Sequence, residues 1–151
     1  MSRLTELELN DLARRFSDAS LPKQEWTHLA HLAVGLWHVE RYGSEEALTK
    51  LRTGIRRLND SHGTVNSPTS GYHETITRVY VVLLSAFAAR FNDMSLTARL
   101  ASLLNGPLSD RALLFKFYSR DRLMSPEARL NWVDPDIAPL SLDAAIQGPV
   151  A

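Results

Sequence analysis

The chain predicts an all-α fold: a single-domain helical bundle with short helices at its C-terminal end. Three observations carry that prediction. No stretch alternates apolar and polar residues with a period of two, so strands are not expected. Apolar residues recur instead at spacings of three and four along most of the chain. Ser, Thr, Pro and Gly interrupt those runs where helix ends want them. At 151 residues, 44% hydrophobic and 23% charged, the chain can close one core and is not expected to be disordered.

The first helix should open at Thr5, where Thr5 and Glu8 have capping-box spacing. Leu9, Leu12, Ala13 and Phe16 then form one apolar stripe, and Ser17 to Ser20 break it. A second helix is expected from about Pro22 to Tyr42, with Trp26, Leu29, Ala30, Ala33 and Trp37 inward and Gly43 at its C-terminal end. A third starts after Ser44, burying Leu48, Leu51, Ile55 and Leu58 and leaving Lys50, Arg52, Arg56 and Arg57 to solvent. The polar connection from Ser61 to Ser70 is longer than most helix–helix links. Ser70 should cap a fourth helix reaching about Phe91, apolar nearly all round from Val79 and so central. Shorter helices are expected over Ser95–Leu104, over Ser109 to about Tyr118, and from Ser125-Pro126-Glu127 toward Pro135. Residues 1–140 read as one helical domain and 141–151 as a loosely ordered tail.

Several function classes recede on composition. Seventeen basic and seventeen acidic residues balance to zero, so the basic footprint of a nucleic-acid binder is missing. The absence of cysteine excludes disulfides, thiolate catalysis and sulfur-ligated metals. Met1 to Leu12 has no apolar core of the kind a secretory signal needs. The most apolar run, Val79 to Ala89, is about half the roughly twenty residues of a membrane span. A cytoplasmic location and no membrane partner are the expectation.

The most suggestive local pattern lies on the second helix. His28, His31, Gly35, His38 and Tyr42 fall within an arc of roughly 80° on a largely apolar helix. Gly35 lacks a side chain there and lets a backbone or a ligand come close. His28 and His31 have the i, i+3 spacing at which two side chains converge on one ion. If the second and fourth helices pack side by side, His73 adds a third nitrogen and Glu74 an oxygen or a base. Such a set suits zinc or ferrous iron with a position open for water, which the metal would acidify. A metal-free polar pocket, and after it ordinary packing, are the alternative uses of the same histidines. Thr77 stands where a zinc-protease H-E-x-x-H motif needs its second histidine, so that motif is absent. His62, in the loop, reads as solvent-exposed.

Supporting groups lie nearby. Thr64, Asn66, Thr69 and Ser70 gather at the start of the fourth helix, where free N–H groups attract anions. Turn and cap duties account for the same residues. In Tyr118-Ser119-Arg120-Asp121-Arg122, Arg120 could clamp a carboxylate or simply pair with a neighbouring acid. Trp132 should pack a terminal segment onto the bundle.

The H-x-x-H of Trp26-Thr27-His28-Leu29-Ala30-His31, the Ser70-Gly71-Tyr72-His73-Glu74-Thr75 segment and Tyr118-Ser119-Arg120-Asp121-Arg122-Leu123 resemble an uncharacterised family of small all-α bacterial proteins. The resemblance spans most of Pro22 to Leu140 and implies a fold without an activity. More loosely, the pattern is similar to DinB-type bundles, which hold a metal with histidines from two helices. Those carry a paired H-x-x-x-H, and here Thr77 occupies the second position.

The leading expectation is a metal-dependent enzyme, hydrolytic or of the non-haem iron kind, acting on a small anionic molecule. His28, His31 and His73 would bind the metal, with Glu74 as fourth ligand or base. Tyr72 would act beside it, and His38, Thr69, Ser70 and Arg120 would contact substrate. Two rivals stand beside it: a metal-free module that binds a small molecule in a pocket of histidines and aromatics, and a scaffold that forms a homodimer.

Overall fold

Helix α1, Glu6–Ser17, begins as expected. The Thr5 hydroxyl accepts from the Glu8 N–H, and the Glu8 carboxylate accepts from the Thr5 N–H, both at 3.1 Å. Glu6 and Glu8 in the first turn and Arg14 and Arg15 in the last complement the helix dipole. Its inner face is Leu9, Leu12, Ala13 and Phe16. The computed structural model describes residues 4–147, all of it helix, turn or coil, with no strand among the described residues.

After a 3-10 turn at Lys23–Glu25, helix α2 spans His28–Ser61. It opens at Thr27, whose hydroxyl accepts from the Ala30 N–H at 3.2 Å, so Pro22 starts the preceding turn and not the helix. Gly43 breaks α2 into two arms at φ 78°, ψ 169°, a backbone region essentially confined to glycine. The arms are the two helices expected on either side of Gly43, joined without a loop. Leu29, expected in the core stripe, is 40% exposed, and Leu32 and Leu36 are buried in the first arm.

Helix α3, Glu74–Arg90, packs against α2 and is covered elsewhere by the later segments Pro126–Leu130 and Leu142–Ile146, which makes it the central helix. Val79, Val81, Leu83, Leu84 and Phe87 are buried. Its approach to α2 is close at Gly35, where an added Cβ would lie 2.7 Å from Leu84 Cδ1. The cap of α3 is His73, not Ser70: the His73 ring nitrogen Nδ1 accepts from the Ile76 N–H at 3.1 Å. Ser70 is occupied instead by an isolated backbone bridge to Ser67.

The remainder folds over one side. Helices α4, Leu96–Asn105, α5, Arg120–Leu123, α6, Pro126–Leu130, and α7, Leu142–Ile146, are capped by Ser95, Ser119, Ser125 and Ser141. Of the helix expected over Ser109–Tyr118, only a 3-10 turn at Leu113–Lys116 forms. The competing bonds are visible: Asp110 accepts from the Ala112 N–H, Phe117 O accepts from the Ile137 N–H, and the Tyr118 hydroxyl donates to Val133 O. The stretch expected to be a loose tail carries α7, with Leu142 and Ala145 buried and Arg90 on Asp143 at 2.6 Å. Residues 148–151 lie outside the described residues. No helix among the described residues is long and apolar enough to cross a membrane.

Candidate functional site

Between the two arms of α2, the first half of α3 and the C-terminal turns lies a cavity of about 460 Å³. The Thr27 cap fixes where α2 starts, and so sets His28 and His31 on the wall together with Trp26, Leu32 and Gly35. The second arm adds Leu51 and Ile55, and α3 adds Ile76, Thr77, Tyr80, Val81 and Leu84. Arg111, Leu114, Phe115, Leu123 and Met124 form a further wall, and the hollow stays half open to solvent. The lining is mostly aliphatic and aromatic, with a few polar groups, which is the composition of small-molecule sites.

The two histidines sit differently. His31 Nδ1 is 2.7 Å from Thr27 O. A carbonyl only accepts, so Nδ1 carries the proton and Nε2 keeps its lone pair. The ring stacks on Trp26, centroids 3.7 Å apart. It has solvent-accessible area, and it faces the cavity. Crowding by surrounding protein lowers its pKa to about 4, and the backbone bond to Thr27 opposes that shift. His28 meets Tyr80 edge-on at 6.2 Å. Its Nε2 is buried with no hydrogen-bond partner among the described residues, at a cost of about 1–3 kcal/mol. Burial, then the charge of Arg111, lower the His28 pKa. The Ser109 carbonyl and Asp110 act the other way, the carbonyl being near the ring without a formed bond to Nε2. Burial raises the Tyr80 phenol to about 12, helped by Asp110. At neutral pH the wall therefore presents two neutral imidazoles and an un-ionised phenol.

The other sequence-predicted residues are placed elsewhere. His73 does not join His28 and His31. Its Nδ1 accepts from Ile76, its Nε2–H donates to Leu123 O at 2.8 Å, and the ring is buried. Both nitrogens are spent on the fold, which leaves neither lone pair for a metal. Glu74 is also engaged. Its two oxygens accept from Arg52 at 2.9 and 2.7 Å, and Tyr72 donates to it at 2.8 Å. Burial alone would raise the Glu74 pKa, but the bonds from Arg52 and Tyr72 outweigh it and hold it below the usual range. Burial, foremost, pushes Tyr72 up to about 12. Arg52, expected in solvent, is thus half-buried in this network. Among the described residues no group of three or more His, Asp or Glu forms a metal-ligating arrangement.

His38 lies beyond Gly35, buried among Phe16, Trp37 and Tyr42 with Nδ1 on Val34 O at 2.8 Å, and is absent from the cavity wall. Leu84 fills the space over Gly35, which ends the histidine ribbon there. Thr69 and Ser70 stay in the turn after Ser67, where Thr69 contacts the Ser67 hydroxyl. The hub of that loop is Asn66, bonded to Asn59, Tyr72 N–H, Arg56 O and Asp60. Arg120 lies over the Phe115 ring at 4.6 Å. His62 is half-buried, with Nε2 on Leu21 O at 2.7 Å, and so is not the free loop residue expected.

Sequence reasoning missed Tyr80 and Arg111. Tyr80 sits on α3 seven residues after His73, within an apolar run that reads as core. Arg111 follows Asp110 in a segment with no strong period, and nothing local marks it. Set against known proteins, the chain matches no family model, no curated protein and no solved structure.

Proposed function

We propose that this protein is a binding module for a small, largely apolar molecule held in the cavity beside His28 and His31. The observation that carries this reading is the cavity itself. A half-open hollow of about 460 Å³ walled by Leu, Ile and aromatic side chains leaves concave apolar surface against water, which a largely apolar ligand would cover. That volume lies within the roughly 300–1,000 Å³ of ordinary ligand sites. Two neutral imidazoles and a phenol supply a few hydrogen-bonding points on an otherwise apolar wall. The reading favours the binding module over the metal-dependent enzyme because His73 and Glu74, on which the enzyme depends, are committed to the cap of α3 and to Arg52.

Phenylnaphthylamine, a neutral fluorophore that brightens in apolar surroundings, tests the idea. It should bind wild-type protein saturably at one site. Ile55→Phe and Ile76→Phe narrow the cavity from two different helices and should each weaken that binding at least about tenfold while the melting temperature holds, since a tenfold change is about 1.4 kcal/mol. Binding that ignores both substitutions, or no saturable binding at all, overturns the proposal.

A further inference from the structure

Among the residues lining the cavity, Arg111 is the only one charged at neutral pH. Among the described residues it is also the one arginine whose guanidinium has no internal partner. The others form ion pairs with carboxylates, donate to backbone carbonyls, or lie over aromatic rings as Arg120 does over Phe115. An unengaged guanidinium at the edge of an apolar hollow is a fork of donors waiting for a planar anion. Its field reaches inward, because its charge disfavours protonation of both His28 and His31. The opposing charge is Asp110, which acts on His28 and Tyr80 but does not line the cavity. The Asp110 carboxylate is held in its own turn by the Ala112 N–H at 2.9 Å.

We infer that the ligand is an apolar acid: a compact aromatic or alicyclic body in the hollow, with one fixed anionic group paired to Arg111. This rests on the cavity reading above and names the ligand class for the same site. The His31 Nε2 lone pair, left free by the Nδ1 bond to Thr27, further suits a ligand that carries a hydrogen-bond donor.

Two dyes that share a ring system separate the inference from the cavity reading. Anilinonaphthalene sulfonate differs from phenylnaphthylamine by its sulfonate. Both are titrated into wild type, Arg111→Gln and Arg111→Lys, at low and high salt. Arg111 is exposed and makes no internal contact of the kinds above, so its substitution should leave the fold intact, checked by the melting temperature. The sulfonate should bind wild type about tenfold tighter than the neutral amine, as a charge-assisted pair warrants, and the preference should shrink with salt. Arg111→Gln should abolish the preference by weakening the sulfonate alone, and Arg111→Lys should keep part of it. Equal affinities in wild type, or a preference that survives Arg111→Gln, would overturn the anion inference while leaving the cavity reading standing. Failure of both dyes to saturate would remove the two together.

Discussion

His73 offers the sharpest test of how this fold is held. The ring is 7% exposed, and each nitrogen does one job: Nδ1 caps α3 at Ile76, and Nε2–H ties α3 to the Leu123 carbonyl. In His73→Ala the lost cap costs about 1 kcal/mol. The lost bond to Leu123 costs about 1 kcal/mol more. Removing a buried ring from its packing adds about 1 kcal/mol. A total of about 3 kcal/mol lowers the melting temperature by roughly 6–12 °C for a chain of this size. His73→Asn should recover about 1 kcal/mol, since Asn can cap but is too short to reach Leu123. Urea unfolding followed by far-UV circular dichroism at pH 7.5, with chelator and with added zinc, measures all three proteins. The reasoning fails if the alanine variant loses less than about 1 kcal/mol, if asparagine does no better than alanine, or if the loss appears only with metal present.

Three further outcomes follow from the same structure. Burial, the largest cause in each case, lowers the pKa of His28, His31, His38 and His73, so the native rings stay neutral where unfolded ones take up protons. Stability should therefore be full above the ordinary value of 6.5 and fall as pH drops toward the value of about 4 reached by His31; a flat profile from pH 7 to 5 in urea melts would contradict this. Glu74→Gln breaks a largely buried pair whose Arg52 side chain is 34% exposed, and should cost about 2–3 kcal/mol, with Tyr72→Phe costing about 1–2 kcal/mol. A double-mutant cycle should show coupling between these two, and additivity within about 0.5 kcal/mol would deny the network. Gly35→Ala drives Leu84 Cδ1 from 2.7 Å contact into the neighbouring cavity, so it should change stability by less than about 1 kcal/mol yet weaken phenylnaphthylamine binding. A large loss of stability with unchanged dye affinity would show that Leu84 does not move that way.

Local signals were readable where local chemistry decides. The Thr5–Glu8 box, the Phe16 stripe, the break at Gly43 and the Ser95 and Ser125 caps all stand where the sequence puts them. The start of α2 was misplaced because Thr27 outcompetes Pro22: a hydroxyl satisfies an orphan N–H, and proline merely tolerates the position. The start of α3 was misplaced for a different reason. A histidine is a rare cap, and this one is chosen by Leu123, fifty residues away in sequence, which no helical periodicity can announce. At the candidate site, the i, i+3 spacing of His28 and His31 did mark the wall. Arg111 did not show itself, because its significance is a missing partner, visible only once every other described arginine has one.

At Gly43 an added Cβ would meet nothing within 4 Å among the described residues, so none of them forbids a side chain at this point. The obstacle is handedness alone: φ 78° with ψ 169° is close to the mirror image of extended backbone that an L-residue adopts freely. A D-alanine introduced by chemical ligation should fit without strain and stiffen the unfolded chain, whereas its L-enantiomer should resist the bend. The junction between the two arms thus calls for the opposite chirality to the one ribosomes supply, and glycine is the single encoded residue that belongs to neither hand.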